Sequence, residues 1–176
     1  MTVQTLNSKK LFVTLDKEFS EVINLISSAD ENKINIIPFD DSWTAGQLVS
    51  HITKSNKAIA QALDMEGKQC DRDPGSGVKA IKKIFLDFTA KFKSPEFIIP
   101  GDGPYKKDIL IGDYRSSCDQ IKERRNKVDL TEIISLPAFG EVTKFEILYF
   151  VVFHTQRHIR QLKNILKIVN EKNHVS

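Results

Sequence analysis

Long apolar runs are missing from this sequence. No uninterrupted stretch approaches the roughly 20 residues needed to cross a bilayer. The richest segment, Phe145 to Phe153, contains Glu146 and then runs into histidine and arginine. The first residues, Met1 to Lys10, are polar and carry no apolar signal-peptide core. Cysteine is scarce as well. Cys70 and Cys118 do not form a metal-knuckle spacing, and free thiols in a reducing cytoplasm are a simpler reading than a disulfide between them. Charge of one sign is lacking too. With 26 basic and 23 acidic residues the net charge is only +3, whereas a nucleic-acid footprint normally shows a concentrated basic face. The densest basic run, Lys122 to Lys127, also contains Glu123 and reads as the solvated face of a helix. These absences lead to the expectation of a cytoplasmic protein with neither a membrane nor a nucleic acid as partner.

What is present is a chain of 176 residues, 40% of them apolar. That is most simply one domain spanning 1–176, able to bury a core without disulfides. Leu11, Leu15, Phe19, Val22 and Ile26 recur every three or four residues and predict a helix over about Ser8–Ser28. A second helix is predicted from Trp43 to Glu66, with Leu48, Ile52, Ile59 and Leu63 on its buried side. Thr44 and Gln47 stand at capping-box spacing at its start. Asp73-Pro74-Gly75-Ser76-Gly77 is a loop, and a shorter helix is expected from Val78 to Lys93. Glu96 to Tyr105 reads as irregular, with Phe97-Ile98-Ile99 the best candidate for an extended piece. A weakly striped helix follows from Lys107 to Val128. Leu130 to Glu141, with Pro137 and Gly140, reads as a structured loop. The last helix, Thr143 to Asn170, carries a second capping box in Thr143 and Glu146 and a long stripe from Leu148 to Val169. There is no internal repeat. The class is all-α, most simply a four-helix bundle with an extra short helix.

Four histidines are the residues with chemical content. His174 lies in a polar tail and is set aside. His154 and His158 are four apart on the last helix, so their imidazoles leave the same face one turn apart. By the same count His158 falls within the apolar arc of Val151, Leu162 and Ile165, with His154 at its edge. His51, three residues after Leu48, also faces inward. Three imidazoles from two helices would leave one coordination position open, as catalytic zinc sites do. Spacing alone does not separate such a site from core histidines held by hydrogen bonds.

Context separates them further. Trp43-Thr44-Ala45-Gly46-Gln47-Leu48-Val49-Ser50-His51 resembles the second-helix motif of the DinB-like superfamily: Trp, Ser or Thr, two variable positions, Glu or Gln, three more, then His. His154-Thr155-Gln156-Arg157-His158-Ile159-Arg160-Gln161-Leu162 resembles that family's last-helix motif, with two histidines four apart. Phe139-Gly140-Glu141-Val142-Thr143 is similar to its entry loop. The resemblance covers nearly the whole chain. It implies a four-helix bundle with a long crossover, often a homodimer. It also implies a nickel- or zinc-type ion on His51, His154 and His158.

The chemistry open to such a site is of two kinds. The ion can activate water for hydrolysis, or it can bind a thiol as thiolate; some relatives with this triad perform thiol S-transfer with low-molecular-weight thiols. The expected function is thus a divalent-metal-dependent hydrolase or thiol S-transferase acting on a small molecule. A non-catalytic metal-binding or stress-related small-molecule-binding protein is the alternative. No carboxylate beside the triad stands out as a general base, and Glu146 is explained by capping. Gln47 is read as a cap in preference to a partner of His51, Trp43 as a packing anchor, and Arg157 as a surface, salt-bridge or subunit-contact residue. Tyr105 and Tyr114 have no place assigned. The middle segment, Asp71 to Tyr105, is expected to supply the substrate-facing groups.

Overall fold

A computed structural model describes residues 3–172, with side chains from residue 8 onward. His174 lies outside the described residues. Four long helices dominate: α1 (Val3–Ser28), α2 (Ala45–Leu63), α4 (Lys107–Arg125) and α5 (Lys144–Lys172). A short helix, α3 (Val78–Phe85), lies in the connection between α2 and α4. Helix α1 packs on α4 and α5, and α2 does the same, so the long helices form a bundle with α3 laid against α5.

Each predicted stripe is the buried face of its helix. Leu11, Leu15, Phe19, Val22 and Ile26 of α1 are buried, as are Leu48, Ile52, Ile59 and Leu63 of α2. On α5 the stripe runs from Leu148 through Leu162 to Val169. These side chains belong to one apolar cluster with Tyr114, Cys118 and Ile121 of α4. Both cysteines are free thiols; burial pushes the Cys118 thiol up to about 12, so it behaves as a core residue. None of the described helices is long and apolar enough to cross a membrane.

Both capping boxes form. Thr44 accepts from the Gln47 N–H at 3.1 Å, and the Gln47 amide oxygen accepts the Thr44 N–H at 3.0 Å. Thr143 and Glu146 repeat the exchange at 3.0 and 2.9 Å. Asp41, at φ 58°, turns the chain into α2 from the left-handed region.

Three local expectations are corrected. The helix over Val78–Lys93 stops at Phe85, because Arg157 of α5 takes the carbonyls of Phe85, Asp87 and Ala90. The Asp87 carboxylate then accepts both the N–H and the hydroxyl of Thr89, an alternative to the helical ladder. Phe97-Ile98-Ile99 is not extended; Glu96–Ile98 is a single 3-10 turn. The loop over Leu130–Glu141 contains a hairpin, β1 (Ile133–Leu136) and β2 (Gly140–Thr143), paired from Ile133↔Thr143 to Leu136↔Gly140. Four residues per strand is too short for periodicity to reveal. The β-branched Ile133, Ile134, Val142 and Thr143 suit the pleat, and Lys68 adds a bridge to Ile133.

Glu146 does more than cap. Its carboxylate, 1% exposed, receives both Nη atoms of Arg72 at 2.7 Å and the Gly77 N–H at 2.6 Å. The loop before α3 is thereby tied to the start of α5. Burial opposes the charge on Glu146, yet its pKa lies below the ordinary value because Arg72 and the Thr143 and Gly77 N–H groups favour the anion. A Cβ at residue 77 would sit 2.7 Å from Glu146 Oε1. Glu146→Gln is expected to destabilise the fold by about 2 kcal/mol through donors left facing an amide, lowering Tm by roughly 4–8 °C. Gly77→Ala should act in the same direction, and thermal unfolding followed by circular dichroism reads both.

Candidate metal centre

His51 lies near the middle of α2, and His154 and His158 lie near the middle of α5, where these helices pack together. All three are buried, at 2%, 6% and 8% exposure. Their Nε2 atoms converge: His51 to His154 is 3.3 Å and His158 to His154 is 3.0 Å. Candidate ligand atoms of all three lie within 4.8 Å of one another. Two imidazole nitrogens on a tetrahedral zinc ion stand about 3.3 Å apart for metal–nitrogen bonds of roughly 2.0–2.1 Å. The spacing therefore fits one small divalent ion.

The outer nitrogens support the same reading. His51 Nδ1 lies 3.0 Å from the Ile98 carbonyl oxygen, which can only accept, so the proton belongs on Nδ1 and Nε2 offers its lone pair inward. His158 Nδ1 is 3.0 Å from Gln161 Oε1 and is oriented in the same way. With both of these Nε2 atoms as acceptors, His154 Nε2 can donate to only one of them. Two lone pairs thus face one point, and a cation there would be met by a third once the His154 proton sits on Nδ1; outer-nitrogen hydrogen bonds like those of His51 and His158 fix ligand tautomers in metal sites.

The surroundings are aromatic. The Trp43 ring lies 5.0 Å from His51, Phe150 lies 5.0 Å from His154, and Phe85 lies 6.2 Å from His154. Among the described residues no carboxylate is hydrogen-bonded to any of the three histidines. Burial lowers the pKa of all three: His51 is lowered, His154 falls well below the ordinary value, and His158 falls to about 3. Repulsion among the imidazoles and from Arg157 adds to burial for His154 and His158. All three are neutral at pH 7, the state a metal ligand requires.

The three histidines singled out in the sequence are thus brought together. Gln47 is a cap, as expected, and its amide also donates to the Gly101 carbonyl at 3.4 Å. Trp43 packs against His51 as well as anchoring the helix start. Tyr105 folds over Gly46, where a Cβ would meet its ring at 2.8 Å, and its hydroxyl donates to Gly101. Tyr114 is buried in the core at the edge of Phe19. Neither tyrosine touches the trio. Arg157 is not a surface residue but is half-buried against the segment after α3.

Sequence reasoning missed two partners. Gln161 was legible, since it stands three residues after His158 on the same helix. The Ile98 carbonyl was not, because a backbone oxygen 47 residues away leaves no side-chain signature. The Asp71–Tyr105 segment contributes Phe85 and Ile98 to the surroundings of the trio. Two surface grooves, of about 290 and 370 Å³, lie elsewhere: one beside Lys54, Tyr105 and Asp113, the other along Lys79, Lys82 and Lys83. Neither is lined by a histidine.

Comparison with known proteins agrees with the helical bundle. The uncharacterized protein YuaE of Bacillus subtilis (strain 168) is 22% identical over 156 residues, covering 82% of this chain and 90% of that protein. The crystal structure of TT2238, described as a four-helix bundle protein, superposes with a TM-score of 0.55 over 89% of this chain and 98% of the other, at 15% identity. A model of the DinB superfamily matches residues 14–162, a span that holds all three histidines. The chain belongs to the DinB superfamily.

Proposed function

We propose that the protein is a divalent-metal-dependent enzyme, with nickel or zinc held by His51, His154 and His158, that transfers a low-molecular-weight thiol to a small electrophilic molecule. The observation that carries this reading is the convergence of three Nε2 atoms, two of them turned inward by Nδ1 contacts of His51 to Ile98 and of His158 to Gln161. A divalent ion held there would supply Lewis acidity, lowering the pKa of a thiol or a water brought to its remaining side. The protein's own part is to keep three imidazoles neutral, to fix two of their tautomers, and to surround them with Trp43, Phe85 and Phe150. Hydrolysis is the competing chemistry. It calls for a base to move a proton between water and leaving group, and among the described residues no carboxylate is hydrogen-bonded to the trio. Thiol transfer places a lighter demand on such a base, because a thiol starts with a pKa of about 8.5 and on a bound ion would release its proton to solvent. The family resemblance further supports a homodimer acting on a small molecule.

A second reading, a metal-binding protein without turnover, is favoured by the burial of all three histidines and by the position of the two grooves away from them. Elemental analysis after incubation with zinc or nickel should give about one ion per chain, and His154→Ala should lose it while keeping its helical circular dichroism. No bound metal in the parent protein refutes the proposal. A panel of low-molecular-weight thiols with a chromogenic electrophile then separates the two readings, since metal-dependent conversion supports only the enzyme.

Acid behaviour follows from the histidines. Their folded pKa values lie below the unfolded value of about 6.5. The associated stability is present above pH 6.5 and is lost as pH falls toward the folded values, because the unfolded chain binds more protons in that window. Each unit of that fall costs up to about 1.4 kcal/mol for each histidine still neutral in the fold. The urea midpoint of metal-free protein should therefore decrease from pH 7 to pH 5. Metal occupancy should fall in the same direction as the pH drops, because each ligand must be neutral, and a chelation titration reads it.

A further inference from the structure

Arg157 precedes His158 by one residue, yet its guanidinium is turned toward the segment that follows α3. Nη1 donates to the Asp87 carbonyl at 2.7 Å and to the Phe85 carbonyl at 3.4 Å, and Nη2 donates to the Ala90 carbonyl. The guanidinium carbon also lies 4.9 Å from the centre of the Phe92 ring. One side chain of α5 therefore gathers residues 85 to 92 into a strap. Arg160, exposed and three residues further along α5, lies 4.3 Å over the Phe88 ring.

The strap has little else to hold it. Phe88 and Phe92 are 43% and 50% exposed, and Asp87 and Thr89 are exposed as well. Its inner end, however, reaches the trio. Phe85 stacks on Phe92 at 5.7 Å, stands edge-on to Phe150 at 4.9 Å, and faces the His154 ring at 6.2 Å. A charged donor shared among several carbonyls is stronger than neutral contacts of the same number. An otherwise exposed segment with few buried contacts opens readily when such a tie is removed. The Asp87 carboxylate feels the Arg157 charge, but the hydrogen bonds of the guanidinium go to the backbone of the strap.

We infer that Arg157 is a positioning residue that fastens the strap of residues 85–92 against α5, keeping Phe85 over His154 and controlling the exchange of metal and small ligands between the three histidines and solvent. The inference rests on the reading of the trio as a metal centre. Its first test, however, needs no metal.

In the full-length, metal-free protein, diethyl pyrocarbonate modification of His51, His154 and His158 is followed by mass spectrometry for the parent, Arg157→Met, Arg157→Lys and Arg160→Met. Arg157→Met should modify His154 at least roughly tenfold faster, as expected when hydrogen bonds from a charged donor are lost. Arg157→Lys should also be faster, because an ammonium cannot reproduce the planar fork. Arg160→Met should stay within about twofold of the parent, since it leaves the carbonyl ties in place. Rates within about twofold of the parent in both Arg157 variants overturn the inference. If Arg157→Met loses its helical circular dichroism, Arg157→Lys decides.

In zinc-loaded protein, extraction by a chelator should accelerate by a similar factor in the Arg157 variants with stoichiometry unchanged. Unchanged extraction rates overturn the exchange-control role. A parent protein that takes up no zinc refutes the metal reading and with it that role, whatever the modification rates show.

Discussion

Three imidazoles packed nitrogen to nitrogen in an apolar interior can coexist only while they are uncharged. Much else in the molecule answers to that constraint. Burial of His51, His154 and His158 keeps them neutral, and neutrality gives each ring one proton and one lone pair to place. The Ile98 carbonyl and the Gln161 amide take protons on the outer side of two rings. What remains is a set of inward lone pairs with too few protons among them, an arrangement that an ion of the right size completes.

The crossover between α2 and α4 is what makes this arrangement possible. Its later part is drawn onto α2 by Gln47, His51 and Lys54, which reach the carbonyls of Gly101, Ile98 and Ile99 from one face of that helix. Its middle is drawn onto α5 by Arg157, and its beginning by Glu146 through Arg72 and Gly77. All three anchorages use carbonyls, N–H groups or carboxylates to stabilise a chain that has few apolar residues buried within it. A connection that would otherwise be loose becomes a wall of the site. Helices α2 and α5 supply the histidines, and the crossover supplies the tautomer lock on His51.

Much of this was legible from the residues. The helical period exposed the core faces of α1, α2 and α5, and capping-box spacing located both helix starts that matter, at Thr44 and Thr143. The i, i+4 spacing of His154 and His158 puts two histidines on one face, and the motif around His51 marks the third. Less was legible where the controlling partner was backbone or remote. Phe88 and Phe92 continued an apolar pattern, so α3 was read eight residues too long. Arg157, a polar residue pointing away from the histidine face, reads as a surface, salt-bridge or subunit-contact residue because nothing local announces the carbonyls it collects. The hairpin at Ile133–Thr143 was hidden by strands too short to show alternation.

The sequence by itself determined the elements whose signal is local: helix faces set by periodic burial, helix starts set by reciprocal capping, and a histidine pair set by the rise and turn of the helix. The tertiary structure alone decided which nitrogen of His51 and of His158 carries the proton, where α3 ends, and what Glu146 and Arg157 hold. Those outcomes depend on backbone atoms brought in from distant parts of the chain. Every residue has the same carbonyl and nearly every one the same N–H, so no residue type marks in advance which of them a side chain will find.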